Sequence, residues 1–268
     1  MPCSPTKLTL PSAGTEEGTM PKSRMHLASA TSPTAYSLCC LFVAPVSFPQ
    51  TALLGNLTFM NSSSSTTSSQ VLTLSIHHSA PGFFPVSPLA SLSDPSDPSF
   101  DPFTLSLPLA QGTSSASIAR IWPCAERVKD AFQPDYVVVQ CGVDGLAGDP
   151  YATWNLALAD GEGSLGWCIE RICAQWQAKI LLLGGGGYNS PNAARAWTYL
   201  TSIALGCTLS PEADIPDHAA FPLYAPSFTL DFPAGNVRDQ NTPEYLDDVC
   251  ARFSRIAELI AERIQNPA

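Results

Sequence analysis

Short, almost uninterrupted apolar runs constrain the fold of this chain more than any other feature. Tyr136–Gln140 and Ile180–Leu183 are two such runs, and each is typical of a strand that is buried on both faces of a sheet. Val71–Ile76 and Phe103–Leu107 are further strand candidates, and Leu165–Trp176 lies between the two apolar runs with the pattern of a helix. Strands that alternate with helices predict an α/β fold, in which helices cover both faces of a parallel sheet.

Caps, prolines and apolar spacing indicate the remaining helices. The apolar positions of Ile118–Phe132 have helical spacing, and Pro123 is expected to kink or split that helix. Ser190–Pro191 predicts an N-cap followed by a first-turn proline. A last helix, which is predicted to begin at Thr242–Pro243, places on one face the apolar residues Leu246, Val249, Phe253, Ile256 and Ile260.

The first 70 residues differ in composition from the rest of the chain. They are poor in charge, rich in Ser, Thr and Pro, and end in the polar run Ser62–Ser69. The apolar stretch Tyr36–Val46 is too short to cross a bilayer. Residues 1–70 are therefore predicted to be disordered, or to belong to no fold, as in a mis-joined gene model. The folded part is expected to comprise residues 71–268.

Charge and cysteine usage disfavour several classes of protein. The net charge is -10, which disfavours direct binding to nucleic acid because phosphates require a basic surface. An acidic surface suits a basic partner, such as a lysine-rich tail. Nine cysteines occur without a CxxC pair, which favours reduced thiols over a disulfide framework or a zinc knuckle.

The chemically suggestive residues lie in loops that follow the predicted strands, where parallel sheets bind their ligands. These loops are His77–Pro85, Gly142–Pro150 and Gly184–Tyr188. Asp144 lies just past a strand, so it is a candidate metal ligand or base, or else a loop carboxylate that caps the next turn. Four glycines bring Tyr188 to the same edge, where its hydroxyl can donate to an oxyanion. Phosphate binding is disfavoured because no GxxxxGK[ST] motif is present.

Four segments resemble, in order, the second half of class I histone deacetylases. They are VLTLSIHHSAPGFFP, QPDYVVVQCGVDGLAGDP, LLLGGGGYNSPNAARAWTYLT and IPDHAAFPLYAPSFTLDFPAGN. The resemblance implies that residues 71–268 form the C-terminal half of a histone deacetylase domain. It also implies the family's zinc-dependent hydrolysis of the acetyl group from N-acetyl-lysine of histones. Acetylated histone tails and corepressor proteins are the implied partners, without a membrane, and the nucleus is the implied location, with the cytoplasm as a second one.

The same resemblance assigns roles to individual residues. Asp144 corresponds to a ligand of the catalytic zinc, and Tyr188 to the tyrosine that polarises the acetyl carbonyl and stabilises the oxyanion. Ser75 and the carbonyl of Ile76 correspond to part of a structural potassium site. The residues that correspond to the substrate tunnel are Phe84, Tyr151 and Gly186.

Other parts of the family's active site have no match in this sequence. Family members carry an earlier Asp-x-Asp-x-His-His-Gly-Asp-Gly segment with the other two zinc ligands, and a still earlier His-His pair that acts as the base. Residues 1–70 match neither segment. His77 and His78 are either substitute ligands or loop histidines with ordinary surface contacts, and the resemblance favours the second interpretation. His26 and His218 are expected to be structural or solvated.

Two functional hypotheses follow, and the first is an active zinc-dependent lysine deacetylase. A catalytic zinc site normally has three protein ligands and a water, and Asp144 is the one ligand visible here, so this chain is expected to be inactive as a lysine deacetylase. The alternative is a non-catalytic, truncated deacetylase-like scaffold or a gene-model fragment. An unrelated α/β hydrolase is set aside, because the sequence contains no Gly-x-Ser-x-Gly elbow.

Overall fold

A computed structural model describes residues 26–28, 56–60, 71–81, 90–151, 154–159, 161–232 and 234–266. The strands in these ranges are β1 His26–Ala28, β2 Asn56–Met60, β3 Val71–His78, β4 Thr104–Leu109, β5 Tyr136–Cys141 and β6 Lys179–Gly184. The helices are α1 Ser115–Phe132, α2 Leu165–Gln175, α3 Ser190–Ala204 and α4 Pro243–Gln265, together with a 3-10 turn at Phe221–Tyr224.

The strands form one sheet in the order β1-β6-β5-β2-β3-β4. β1, β6 and β5 pair in parallel, and so do β3 and β4. The predicted α/β fold with parallel strands is therefore confirmed, with one exception. β2 lies antiparallel between β5 and β3. Since β2 opposes both neighbours, β3, β5 and β6 all run in the same direction and end at the same edge of the sheet.

Two of the strands, β1 and β2, come from the first 70 residues, for which the sequence predicted no regular structure. Leu57 of β2 pairs with Leu74 on one side and with Val139 on the other, and it is buried. β2 thereby satisfies backbone groups that β3 and β5 would otherwise present as open edges. Strands of three and five residues are too short to reveal a period in the sequence, which explains why the prediction missed them.

β5 is fully buried on one face only. Val137, Val139 and Cys141 are at most 4% exposed, whereas Val138 and Gln140 on the opposite face are half-buried. The prediction of burial on both faces was therefore wrong for the second face. An apolar run reports the average environment of a strand, so it does not reveal which of the two faces is less well covered.

α1 continues through Pro123 and is not split, so this half of the prediction was wrong, while a kink at Pro123 stays a prediction. Pro123 cannot donate to the preceding turn, but its neighbours Ile121, Trp122 and Cys124 are all buried in the core. Packing of this apolar face therefore sustains the helix across the missing hydrogen bond.

Side-chain caps define where two other helices begin. The N-cap of α3 is Asn189 and not Ser190 as predicted, because the Asn189 side chain accepts a hydrogen bond from the N–H of Asn192. α4 begins at Pro243 with Thr242 as its cap, as predicted. The apolar face predicted for α4 is buried in full.

The helices pack as two pairs, α1 with α4 and α2 with α3. None of the helices in the described ranges combines the length and apolar character that a bilayer crossing requires.

A single carboxylate joins the start of α1 to the loop before α4. Asp239 accepts from the backbone N–H of Ser114 at 2.8 Å and from the hydroxyls of Ser114 and Ser117 at 2.8 and 2.7 Å. It also accepts from the backbone and side-chain amides of Asn241 at 2.8 and 2.7 Å. Burial alone would raise the pKa of Asp239, but these hydrogen bonds together hold that pKa below its usual range.

Replacing Asp239 with Asn should lower the free energy of unfolding by about 2–3 kcal/mol, because an amide NH2 would face donors that now bind a charged acceptor. Denaturation in urea measures the change. Asp217→Asn is the matched control: Asp217 is exposed, so its replacement should change the free energy of unfolding by less than about 0.5 kcal/mol.

The difference in unfolding free energy between the native chain and Asp239→Asn should depend on pH. The folded-state pKa of Asp239 lies below the unfolded value of about 3.9. Its contribution to stability is therefore complete above that value and is lost as the pH falls through the folded-state pKa. The difference between native chain and Asp239→Asn should shrink in acid. A difference that stays constant below about pH 4 would contradict this role.

Candidate active site

The loops that follow β5 and β6 meet at the carboxyl edge of the sheet. The last paired residues of the two strands are Cys141 and Gly184. The pairing then extends into the loops, since the N–H of Val143 donates to the carbonyl of Gly186 at 2.7 Å. This contact places the candidate ligand Asp144 directly beside the glycine run.

The glycine run is required because the two loops approach each other so closely. A Cβ at Gly186 would lie 2.4 Å from Oδ2 of Asp144, and one at Gly187 would lie 2.4 Å from Cγ2 of Val143. Gly187 also has a φ of +145°, which side chains disfavour. The sequence predicted that the glycines admit a ligand to the backbone. The structure shows that at these two positions they make room for the neighbouring loop.

Asp144 is a buried carboxylate with an unsatisfied oxygen. The residue is 4% exposed, and its Oδ1 atom has no hydrogen-bond partner among the residues that the structure describes. Burial raises the pKa of Asp144 to about 6, and the charge of Asp149 adds to this in the same direction. A buried carboxylate in this state is stabilised either by a proton or by a cation. Its chemistry therefore fits a metal ligand.

The described residues do not complete a zinc site around Asp144. Catalytic zinc normally takes three protein ligands and one water. Across the ranges that the structure describes, no three His, Cys, Asp or Glu side chains lie close enough to hold a metal ion together. Asp144 fits one position of such a site, and these ranges do not supply the others.

Tyr188 lies on the same edge of the sheet and is half-exposed. Its ring meets the ring of Tyr151 edge to face, with 4.8 Å between the ring centroids. Burial, followed by the charges of Asp144 and Asp149, raises the pKa of Tyr188. The hydroxyl therefore remains protonated at neutral pH and is available as a hydrogen-bond donor. Tyr151, predicted at the tunnel rim, is 70% exposed.

Asp149 fixes the position of both tyrosines through their backbone N–H groups. No role was predicted for Asp149 from the sequence. Its Oδ2 accepts from the N–H of Tyr188 at 2.6 Å and from that of Asn189 at 3.2 Å, while its Oδ1 accepts from the N–H of Tyr151 at 2.9 Å. The Asn189 side chain in turn donates to the carbonyl of Gly148. The Gly-Asp-Pro triplet in the sequence could have indicated the contact with Tyr151, since an aspartate in a turn often accepts a hydrogen bond from the backbone N–H two residues later.

His77 and His78 end β3 and do not lie in a surface loop, as the sequence analysis had supposed. They are 8% and 5% exposed, because β3 pairs with β4 for two residues longer than predicted. Both ring nitrogens of His77 lie 3.0 Å from partners, Nδ1 from the Ser75 hydroxyl and Nε2 from the Ala90 carbonyl. Nδ1 of His78 lies 3.2 Å from the Leu109 carbonyl. Burial lowers the pKa of both histidines, and neither joins Asp144 in a metal-binding group.

The remaining candidate residues are dispersed. Ser75 and Ile76 lie in β3, and their role in a potassium site stays a prediction. Phe84 lies outside the described residues. His218 is exposed and accepts from the N–H of Ala220, while His26 lies in β1, in register with Leu181.

The close contact between Gly186 and Asp144 can be tested with a double-mutant cycle. Gly186→Ala should cost about 2–3 kcal/mol of unfolding free energy in the native chain, because its Cβ would overlap the carboxylate. In an Asp144→Ala background the obstructing atoms are gone, so the same change should cost about 1 kcal/mol or less.

Gly161→Ala is the control for backbone strain, since a Cβ there meets nothing within 4 Å although its φ is +76°. It should cost about 1 kcal/mol in both backgrounds. Equal costs of Gly186→Ala in the two backgrounds would contradict the contact.

Comparison with known proteins identifies the family. A model of the histone deacetylase domain matches residues 61–204. Histone deacetylase 8 of Xenopus laevis is 37% identical over 187 residues, which cover 68% of this chain and 53% of the relative. Histone deacetylase 8 of Danio rerio is 36% identical over 185 residues, covering 68% and 46%. Histone deacetylase 7 of Arabidopsis thaliana is 31% identical over 191 residues, covering 71% and 43%. The chain spans about half the length of these relatives, and it belongs to the histone deacetylase family, in its class I branch.

Proposed function

We propose that this chain carries one zinc ligand and the oxyanion-binding tyrosine of a lysine deacetylase site, and that it does not hydrolyse acetyl-lysine by itself. The observation that carries the proposal is the buried Oδ1 of Asp144 at the carboxyl edge of the sheet, for which the described residues provide no hydrogen-bond partner. A carboxylate kept in such a place without a partner costs stability. A position that binds a cation in the complete site of the family accounts for it.

The roles proposed for the other residues follow from their contacts. Tyr188, held by Asp149 through its backbone, presents a protonated hydroxyl that can donate to an oxyanion on a substrate carbonyl. Tyr151, through its ring contact with Tyr188, offers an apolar side for the stem of an acetyl-lysine. Zinc remains the proposed cofactor of the complete site, with potassium as a proposed structural ion at Ser75 and Ile76.

The proposed lack of activity rests on the incomplete set of ligands. Asp144 has no second or third metal-binding neighbour in the described ranges, and the histidines at the end of β3 bind protein atoms instead. A positioned general base contributes a factor of about 10²–10⁴ to the rate. The absence of this base would therefore lower the rate further, in addition to the loss of the zinc site. Non-catalytic, scaffold-type action is therefore the companion proposal.

The proposed biological setting follows the family. Acetylated histone tails are basic, and the net charge of -10 on this chain suits them. Corepressor proteins are the proposed partners in chromatin regulation and transcriptional repression, and the nucleus is the proposed main location.

A deacetylation assay tests the proposal. The full chain, supplied with zinc, should release no more acetyl groups from an acetyl-lysine peptide than its Tyr188→Phe variant does. This variant keeps the ring and its contact with Tyr151 but lacks the donor hydroxyl, so it is matched in fold.

Zinc-dependent release by the native chain, at least about tenfold above Tyr188→Phe, would contradict the proposal of inactivity. It would also mean that residues outside the described ranges complete the ligand set.

A further inference from the structure

Two cysteine side chains meet where α1 packs against α4. The sulfur of Cys124 lies 3.7 Å from the sulfur of Cys250. Cys124 is fully buried, whereas Cys250 is partly exposed. Neither Cys124 nor Cys250 is in a disulfide, so the pair is present in its reduced form.

Polar contacts on either side hold the two cysteines in register. One turn before them, Arg120 forms an ion pair with Asp247 at 2.6 Å. One turn after them, Arg127 donates to the hydroxyl of Ser254 at 2.7 Å. The residue numbers increase together along both helices, so α1 and α4 lie parallel at this contact. The contact between the two cysteines is the middle one of three side-chain contacts that cross the same interface.

We propose that Cys124 and Cys250 form a reversible disulfide that ties α4 to α1, with a small-molecule disulfide such as oxidised glutathione as the oxidant. The sulfur atoms must close from 3.7 Å to about 2.05 Å. This movement is small relative to the spacing of packed helices, which is about 8–10 Å. The flanking contacts keep the two side chains facing each other while it occurs.

The difference in exposure sets the order of the two exchange steps. The partly exposed Cys250 thiolate attacks one sulfur of oxidised glutathione, which forms a mixed disulfide and releases one glutathione thiolate. Cys124 then gives its proton to a base and attacks the Cys250 sulfur, which releases the second glutathione. Two protein thiols are oxidised, and one glutathione disulfide is reduced to two thiols. Burial raises the pKa of Cys124, which agrees with its role as the second, resolving thiol.

Mass spectrometry of the native full chain shows whether this disulfide forms. The folded chain is exposed to oxidised glutathione, its remaining thiols are blocked, and it is digested with trypsin without reduction. Cys124 falls in the peptide 121–127 and Cys250 in the peptide 239–252. The two peptides should appear linked, at least about tenfold more abundantly than any other cysteine pair, because intramolecular contact raises their effective concentration. Dithiothreitol should abolish the link.

Three variants sharpen the test. Cys207→Ser removes an exposed cysteine and should leave the link unchanged. Cys124→Ser should accumulate glutathione on Cys250, because the resolving thiol is missing. Cys250→Ser should leave Cys124 unmodified in the folded chain. If the native chain retains glutathione on Cys250, or leaves both cysteines reduced, with no link between the two peptides, the proposal is wrong.

Discussion

The parallel pairing of β5 with β6 determines the geometry of the candidate site. Because the two strands stay in register into their loops, Asp144 is pressed against Gly186, and the next turn brings Tyr188 to the same edge. Asp149 then closes the arrangement by binding the backbone of both tyrosines. The result is a buried carboxylate with one oxygen that no described residue contacts through a hydrogen bond. Such a group is costly in an apolar interior unless it is protonated or bound to a cation.

The sequence was most informative where one local signal decides the structure. The cap and apolar face of α4 were predicted correctly, as were the two strands with nearly continuous apolar runs and the two further strand candidates. The sequence was uninformative where contacts with residues distant along the chain determine the local structure. The short β2 is stabilised by strands on both of its sides, and His77 is buried because β4 continues beside it. The role of Asp149 was missed because two of its three hydrogen bonds, those from Tyr188 and Asn189, form only when the two loops meet.

The contacts that join α1 to α4 are all made within the described residues, whereas the candidate site lacks a full set of metal ligands there. Asp239 fixes the start of α1 to the loop before α4, and the contacts around Cys124 and Cys250 continue the same interface further along both helices. The proposed metal position, by contrast, has one candidate ligand, Asp144, in the described ranges.

Zinc binding shows whether Asp144 is a single ligand without partners in this chain. The full chain and its Asp144→Ala variant would be titrated with zinc against a chromophoric chelator. We expect that neither protein competes for zinc with submicromolar affinity and that the two titration curves coincide. One zinc bound per native chain with submicromolar affinity, and lost in Asp144→Ala, would show a complete zinc site and would contradict the proposal of a single ligand.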